Sequence, residues 1–120
     1  MKESDWKQFK LIKEKAIERF CSFVLEEFEE AISNREEHPH NRYLLLCRLV
    51  ENRDKEMSLI FDGNSRSRAP IQLTVIRAKG LVEESLLEGL SEDFLKQTDP
   101  VRLGWGRGSQ RGRSREGAGS

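Results

Sequence analysis

Two cysteines and two histidines in 120 residues leave few of the side chains on which metal centres, disulfide scaffolds and imidazole catalysis depend. Cys21 and Cys47 fall at apolar positions of two helical stretches. If those stretches fold back as an antiparallel hairpin, the thiols are offset by roughly 9 Å along the axis, which excludes a disulfide. Buried structural thiols are the expectation. His38 and His40 flank Pro39 with only Glu36 and Glu37 as adjacent anions, and no closely spaced ligand pair accompanies them. No metal and no cofactor is expected, and a turn without a positioned nucleophile is a poor setting for a general base.

Long apolar runs are also missing. The longest is Tyr43–Cys47, "YLLLC", against the ~20 residues of a membrane span. The opening "MKESDWKQFK" has no apolar core of a secretory signal, so no membrane association and a cytoplasmic location are expected. Glycine is scarce until the end of the chain, and no glycine-rich loop follows a strand to cradle a nucleotide. Carboxylates are plentiful, but Glu26, Glu27, Glu29, Glu30, Glu83 and Glu84 fall on outer helix faces, and nothing pairs two of them in a cleft. The chain reads as a non-enzyme.

What is present is helix-period hydrophobicity and charge. Hydrophobic residues make up 36% and charged residues 35%, a balance suited to amphipathic helices with charged outer faces. Trp6, Phe9, Ile12, Ala16, Phe20, Val24, Phe28 and Ala31 recur every three or four residues, with Ile17, Phe23 and Ile32 widening the stripe. No Gly or Pro interrupts residues 5–33. Ser4 is the expected N-cap, and Asp5 sits where the helix dipole favours an anion. A second helix is expected over roughly 40–61. Leu44 and Leu45 make its first half apolar almost all round, which implies a central place in the bundle or an interface. "DGNS" at 62–65 ends it. A third helix is expected from about Arg68 to Lys79, capped by Ser67 and stopped by Gly80, with Ile71, Val75 and Ala78 inward and Thr74 and Ile76 at the margins. Short helices follow at 81–89 and, capped by Ser91, up to Gln97. The β-branched "TVI" at 74–76 lies inside a helix-period segment, so no strand is expected. The fold class is all-α: a small bundle built on a long antiparallel helix pair plus shorter C-terminal helices.

Charge is unevenly placed. Residues 1–100 carry 16 Lys and Arg against 20 Asp and Glu, and residues 101–120 carry five Arg against Glu116. Residues 1–100 are therefore expected to form a single helical domain. Residues 101–120 are expected to be a disordered basic Gly/Arg-rich tail, too poor in apolar residues to offset chain entropy.

Three features carry functional candidates. Stepping the second helix's stripe from Leu46 and Val50 to Met57 and Phe61 lands on Arg53 or Asp54 where an apolar residue is expected. Two readings stay open: a local break at the bundle edge or an Arg53–Asp54 pair bonded to a neighbouring helix end, or a polar anchor that fixes a partner's register. Leu44, Leu45, Arg53 and Asp54 are thus the partner-interface candidates. "SRSR" at 65–68 places Arg66 and Arg68 at a helix start, either as solvated neighbours of a cap or as phosphate contacts. In the tail, Trp105 offers a stacking ring and Arg107, Arg111, Arg113 and Arg115 offer cations for a nucleic acid. A solubilising extension without a partner is the other reading.

The segment 52–95, with Arg53, Asp54, Phe61, Asp62, Arg66, Ser67, Gln72, Leu73, Arg77, Gly80 and Leu81, resembles a group of small bacterial proteins of uncharacterised function. The resemblance implies an all-helical fold and no activity, ligand or site, and the Arg/Gly tail lies outside it. The expected role is a helical protein-interaction module, an adaptor or a subunit of a complex, with a protein partner or self-association. The alternative is an RNA- or DNA-binding accessory protein using the tail and the 65–68 turn.

Overall fold

The computed structural model describes residues 1–104, and the expectations for Trp105 and the four arginines beyond it lie outside the described residues. Five α-helices and no strand occur among the described residues: α1 Glu3–Ser33, α2 Pro39–Phe61, α3 Ala69–Ala78, α4 Glu84–Leu87 and α5 Glu92–Gln97. The all-α architecture with a long antiparallel pair follows the hydrophobic period. α1 runs 31 residues because nothing within it breaks a helix. Pro39, with no amide hydrogen to leave unpaired, opens α2, where the His38 imidazole Nδ1 accepts from the His40 amide at 3.1 Å.

The chain divides into two compact units, one of Met1–Ile17 with the segment from Gly63 on, the other of Glu18–Asp62. In the first unit, Phe9, Ile12, Leu73 and Ile76 are fully buried, joined by Trp6, Ala69, Leu81, Leu87, Leu90 and Phe94. Each large apolar side chain removed from water stabilises the fold by about 1.5–3 kcal/mol.

Polar groups of α1 tie the short helices down. Asp5 is buried, and its carboxylate accepts from the Ser91 amide at 2.8 Å and the Ser91 hydroxyl at 2.7 Å. Ser91 in turn caps α5 by accepting from the Phe94 amide at 3.3 Å. Asp5 thereby does from α1 what an acidic third residue does within a capping box. Gln8 Nε2 donates to the Leu86 carbonyl at 2.7 Å, and Gly89 leaves room for it: a Cβ there would stand 2.7 Å from Gln8 Cδ. Lys13 Nζ donates to the Gly63 carbonyl and, at 3.1 Å, to Asn64 Oδ1. α3 stops in a Schellman turn. Gly80 takes φ +70°, the Leu81 amide reaches the Ile76 carbonyl at 3.0 Å, and the Gly80 amide reaches that of Arg77 at 3.1 Å.

Several expectations are corrected. α3 turns Ala69, Gln72, Leu73, Thr74 and Ile76 inward, while Ile71 is exposed and Val75 half-exposed; Ala78 is buried as expected. The inner stripe was obscured because two of its members are polar. The Thr74 hydroxyl is satisfied within the helix by donating to the Pro70 carbonyl at 2.8 Å. Ser67 does not cap α3. The helix begins one residue after Arg68, whose amide donates to Ser65 Oγ at 3.2 Å. The cysteines are not both buried: Cys21 is half-exposed and Cys47 exposed, and neither is in a disulfide.

Candidate functional site

The Glu18–Asp62 unit is a helical hairpin. The second half of α1 and all of α2 run antiparallel, with Phe20 edge-on to Phe61 at 5.8 Å, Arg53 on Glu27, and Arg42 donating to the Ile32 carbonyl. Two helices meet along one seam, so a hairpin leaves apolar surface on both flanks unless something covers it. Here Phe20, Ala31, Ile60 and Phe61 are its buried apolar residues. Phe23, Leu25, Ile32, Tyr43, Leu44, Leu45, Val50 and Leu59 are exposed, Leu59 by 79%, Tyr43 by 63% and Leu25 by 59%.

One flank is hollowed. A groove of about 270 Å³ runs between the helices, walled on the α1 side by Phe20, Cys21, Val24, Leu25 and Phe28 and on the α2 side by Val50, Arg53, Asp54 and Met57. Cys21, Leu25 and Phe28 repeat at four and three residues, as do Val50, Asp54 and Met57, so each set forms one stripe along its helix. The same spacing continues to Ile32 on α1 and back to Cys47 and Tyr43 on α2, extending the apolar strip beyond the groove.

Of the interface candidates, Arg53 and Asp54 line the groove, whereas Leu44 and Leu45 are exposed, by 42% and 41%, outside its walls. Arg53 is committed to the hairpin. Nε lies 2.9 Å from Glu27 Oε1 and Nη1 3.0 Å from Glu56 Oε1, and the bond to Glu27 holds the guanidinium above its ordinary pKa against a smaller opposing effect of burial. The Arg–Asp pair expected at this seam position is corrected: Arg53 pairs with Glu27 of the facing helix and with Glu56 of its own. Asp54 is different: among the described residues it has no hydrogen bond or ion pair, and it stands exposed in the α2 wall between Val50 and Met57.

The basic turn is arranged otherwise. Arg66 Nη2 lies 2.8 Å from Glu3 Oε1, and its guanidinium stacks 5.2 Å from the Trp6 ring centre. Arg68 is exposed beside Gly63. Arg77 is engaged too, donating to the Leu95 carbonyl at 2.7 Å and to Thr98 Oγ1 at 3.0 Å, which closes the C-terminal end of α5. The groove's α1 wall was not among the candidates, because Phe28 and Cys21 read as ordinary members of a core stripe. The missing signal was that a hairpin has only one seam to offer them.

No group of three or more His, Cys, Asp or Glu side chains that could hold a metal ion occurs among the described residues, and no helix there is long and apolar enough to cross a membrane. No family model, curated protein or solved structure matches the chain.

Proposed function

We propose that the protein is a non-enzymatic helical interaction module, an adaptor or subunit that receives a protein partner on the hollowed flank of the Glu18–Asp62 hairpin. The observation that carries this reading is the exposed apolar strip of Leu25, Ile32, Tyr43 and Val50 around the groove. At on the order of 100 Å² each, these side chains reach the few hundred Å² at which an exposed patch marks an interaction site. The groove suits apolar side chains of a partner better than a small ligand, since enclosed ligand pockets start at about 300 Å³ and bury their occupant on all sides. Of the two nucleic-acid candidates within the described residues, Arg66 already has Glu3 and Trp6 as partners and only the exposed Arg68 is left, which favours the protein-docking reading over the accessory nucleic-acid one.

Site-specific photo-crosslinking tests the reading. A photoreactive residue at Leu25 should trap a protein partner in the native cell, one at Ile71, also exposed, should not, and Val50→Asp should abolish the Leu25 adduct without changing helicity. An adduct from Ile71 that is as strong, or one from Leu25 indifferent to Val50→Asp, contradicts the assignment.

A further inference from the structure

Resting on that reading of the hairpin flank, we infer that its occupant is a cationic amphipathic helix: an apolar stripe seated in the groove with Lys or Arg beside it, one of them meeting Asp54. Shape sets the first half. The α1 wall from Phe20 to Phe28 is about 12 Å long at 1.5 Å per residue, a little over two helical turns. That length matches anchors at i, i+3 or i+4, and i+7 of a helix laid into a groove.

Charge sets the second half. Residues 18–62 carry 11 acidic and 6 basic side chains, a net of −5, while the rest of the chain carries 10 acidic and 15 basic. Two of the hairpin's arginines are already used, Arg53 on Glu27 and Glu56 and Arg42 on the Ile32 carbonyl. Asp54 stands in the wall without a partner among the described residues, Glu51 lies one turn before it, and Glu29 follows Leu25 by one turn; all three are exposed. An apolar floor with an acidic margin repels an acidic helix and attracts a basic one. The same charges disfavour a second copy of this chain on the groove. A two-fold pairing there sets one acidic margin, Asp54 included, against its equal.

The test is a fluorescence-anisotropy titration of the full chain with two synthetic helices of about 18 residues, long enough to be helical, with the same leucine stripe and either lysine or glutamate flanks. The lysine peptide should bind about tenfold more tightly or better, and weaken as salt rises. Asp54→Lys should lower its affinity about tenfold while leaving circular dichroism unchanged, since Asp54 is exposed and has no hydrogen bond or ion pair among the described residues. Val50→Asp separates groove docking from mere attraction: it adds negative charge, so docking predicts weaker binding where charge alone predicts tighter. Equal affinity for both peptides, lost in Val50→Asp, overturns the cationic assignment and keeps the docking flank. Binding of neither peptide overturns both, as does a tighter lysine complex in Val50→Asp. A concentration-dependent dimer of the full chain that Val50→Asp dissociates would make the occupant a second copy and overturn the inference.

Discussion

Among the described residues, the unit formed by the start of α1 with α3, α4 and α5 buries twelve apolar side chains and exposes five large ones, whereas the hairpin buries four and exposes eight. Composition does not explain the contrast, because both units draw on the same α1 with the same hydrophobic period. Geometry does. Residues 5–13 of α1 meet short helices whose ends are fixed to it by Asp5, Gln8 and Lys13, so that stretch of its stripe is enclosed. From Phe20 on, the described contacts of the stripe within its unit come from a single facing helix, and the same pattern of residues leaves a groove. One amphipathic helix thus serves stability along its first half and presents surface along its second.

Truncating the core should produce the widest split between the two regions. Leu73→Ala removes a fully buried side chain and should cost about 2–5 kcal/mol, while Leu25→Ala and Val50→Ala should stay within about 1 kcal/mol; urea melts of the three variants check this. Next in size is Asp5→Ala, which leaves the Ser91 amide and hydroxyl without their acceptor and should destabilise by about 1–3 kcal/mol, with fraying confined to α5 by amide exchange. Gly89→Ala should cost about 1–2 kcal/mol by displacing Gln8 from the Leu86 carbonyl, and it should cost much less when made in a Gln8→Ala background. In the hairpin, Arg53→Met removes ion pairs that are about a third exposed and should change stability by no more than about 1 kcal/mol.

The smallest effect is electrostatic. The Arg66 guanidinium, hydrogen-bonded to Glu3, holds that carboxyl below its ordinary value of 4.5. A carboxyl depressed in the folded state adds stability above its unfolded pKa, and that contribution is lost as pH falls through the folded value. Arg66→Ala should therefore return the Glu3 titration, followed by NMR, toward 4.5.

Helix positions were legible in the sequence because an apolar residue every three or four positions has few other solutions, and α2 and α5 fall close to where caps and breakers put them. The inward side of α3 was not legible: Gln72 and Thr74 are polar yet buried, Thr74 with its hydroxyl satisfied by the Pro70 carbonyl of its own helix, and which face is covered is set by the elements packed on α3 and not by the local pattern. Asp5 looked like a dipole partner because Ser91, its hydrogen-bonding partner, is 86 residues away. Half of the groove was foreshadowed by the polar interruption at Arg53 and Asp54. Its other half was hidden: Phe28 read as a stripe residue, Cys21 as a buried thiol, and Leu25 lay off the stripe, and an apolar residue that will be covered and one that will be left open carry the same letter.

Hydrogen exchange on the full chain, alone and with the lysine-flanked peptide, bears most directly on the claim that the hairpin's open flank is a receptor for a helix. Alone, amides of α2 should exchange faster than those of α3, and the peptide should slow exchange across 18–33 and 39–61 while leaving α3 to α5 unchanged. Equal protection of α2 and α3 in the free chain, or protection by the peptide that falls on α3 to α5, would contradict it.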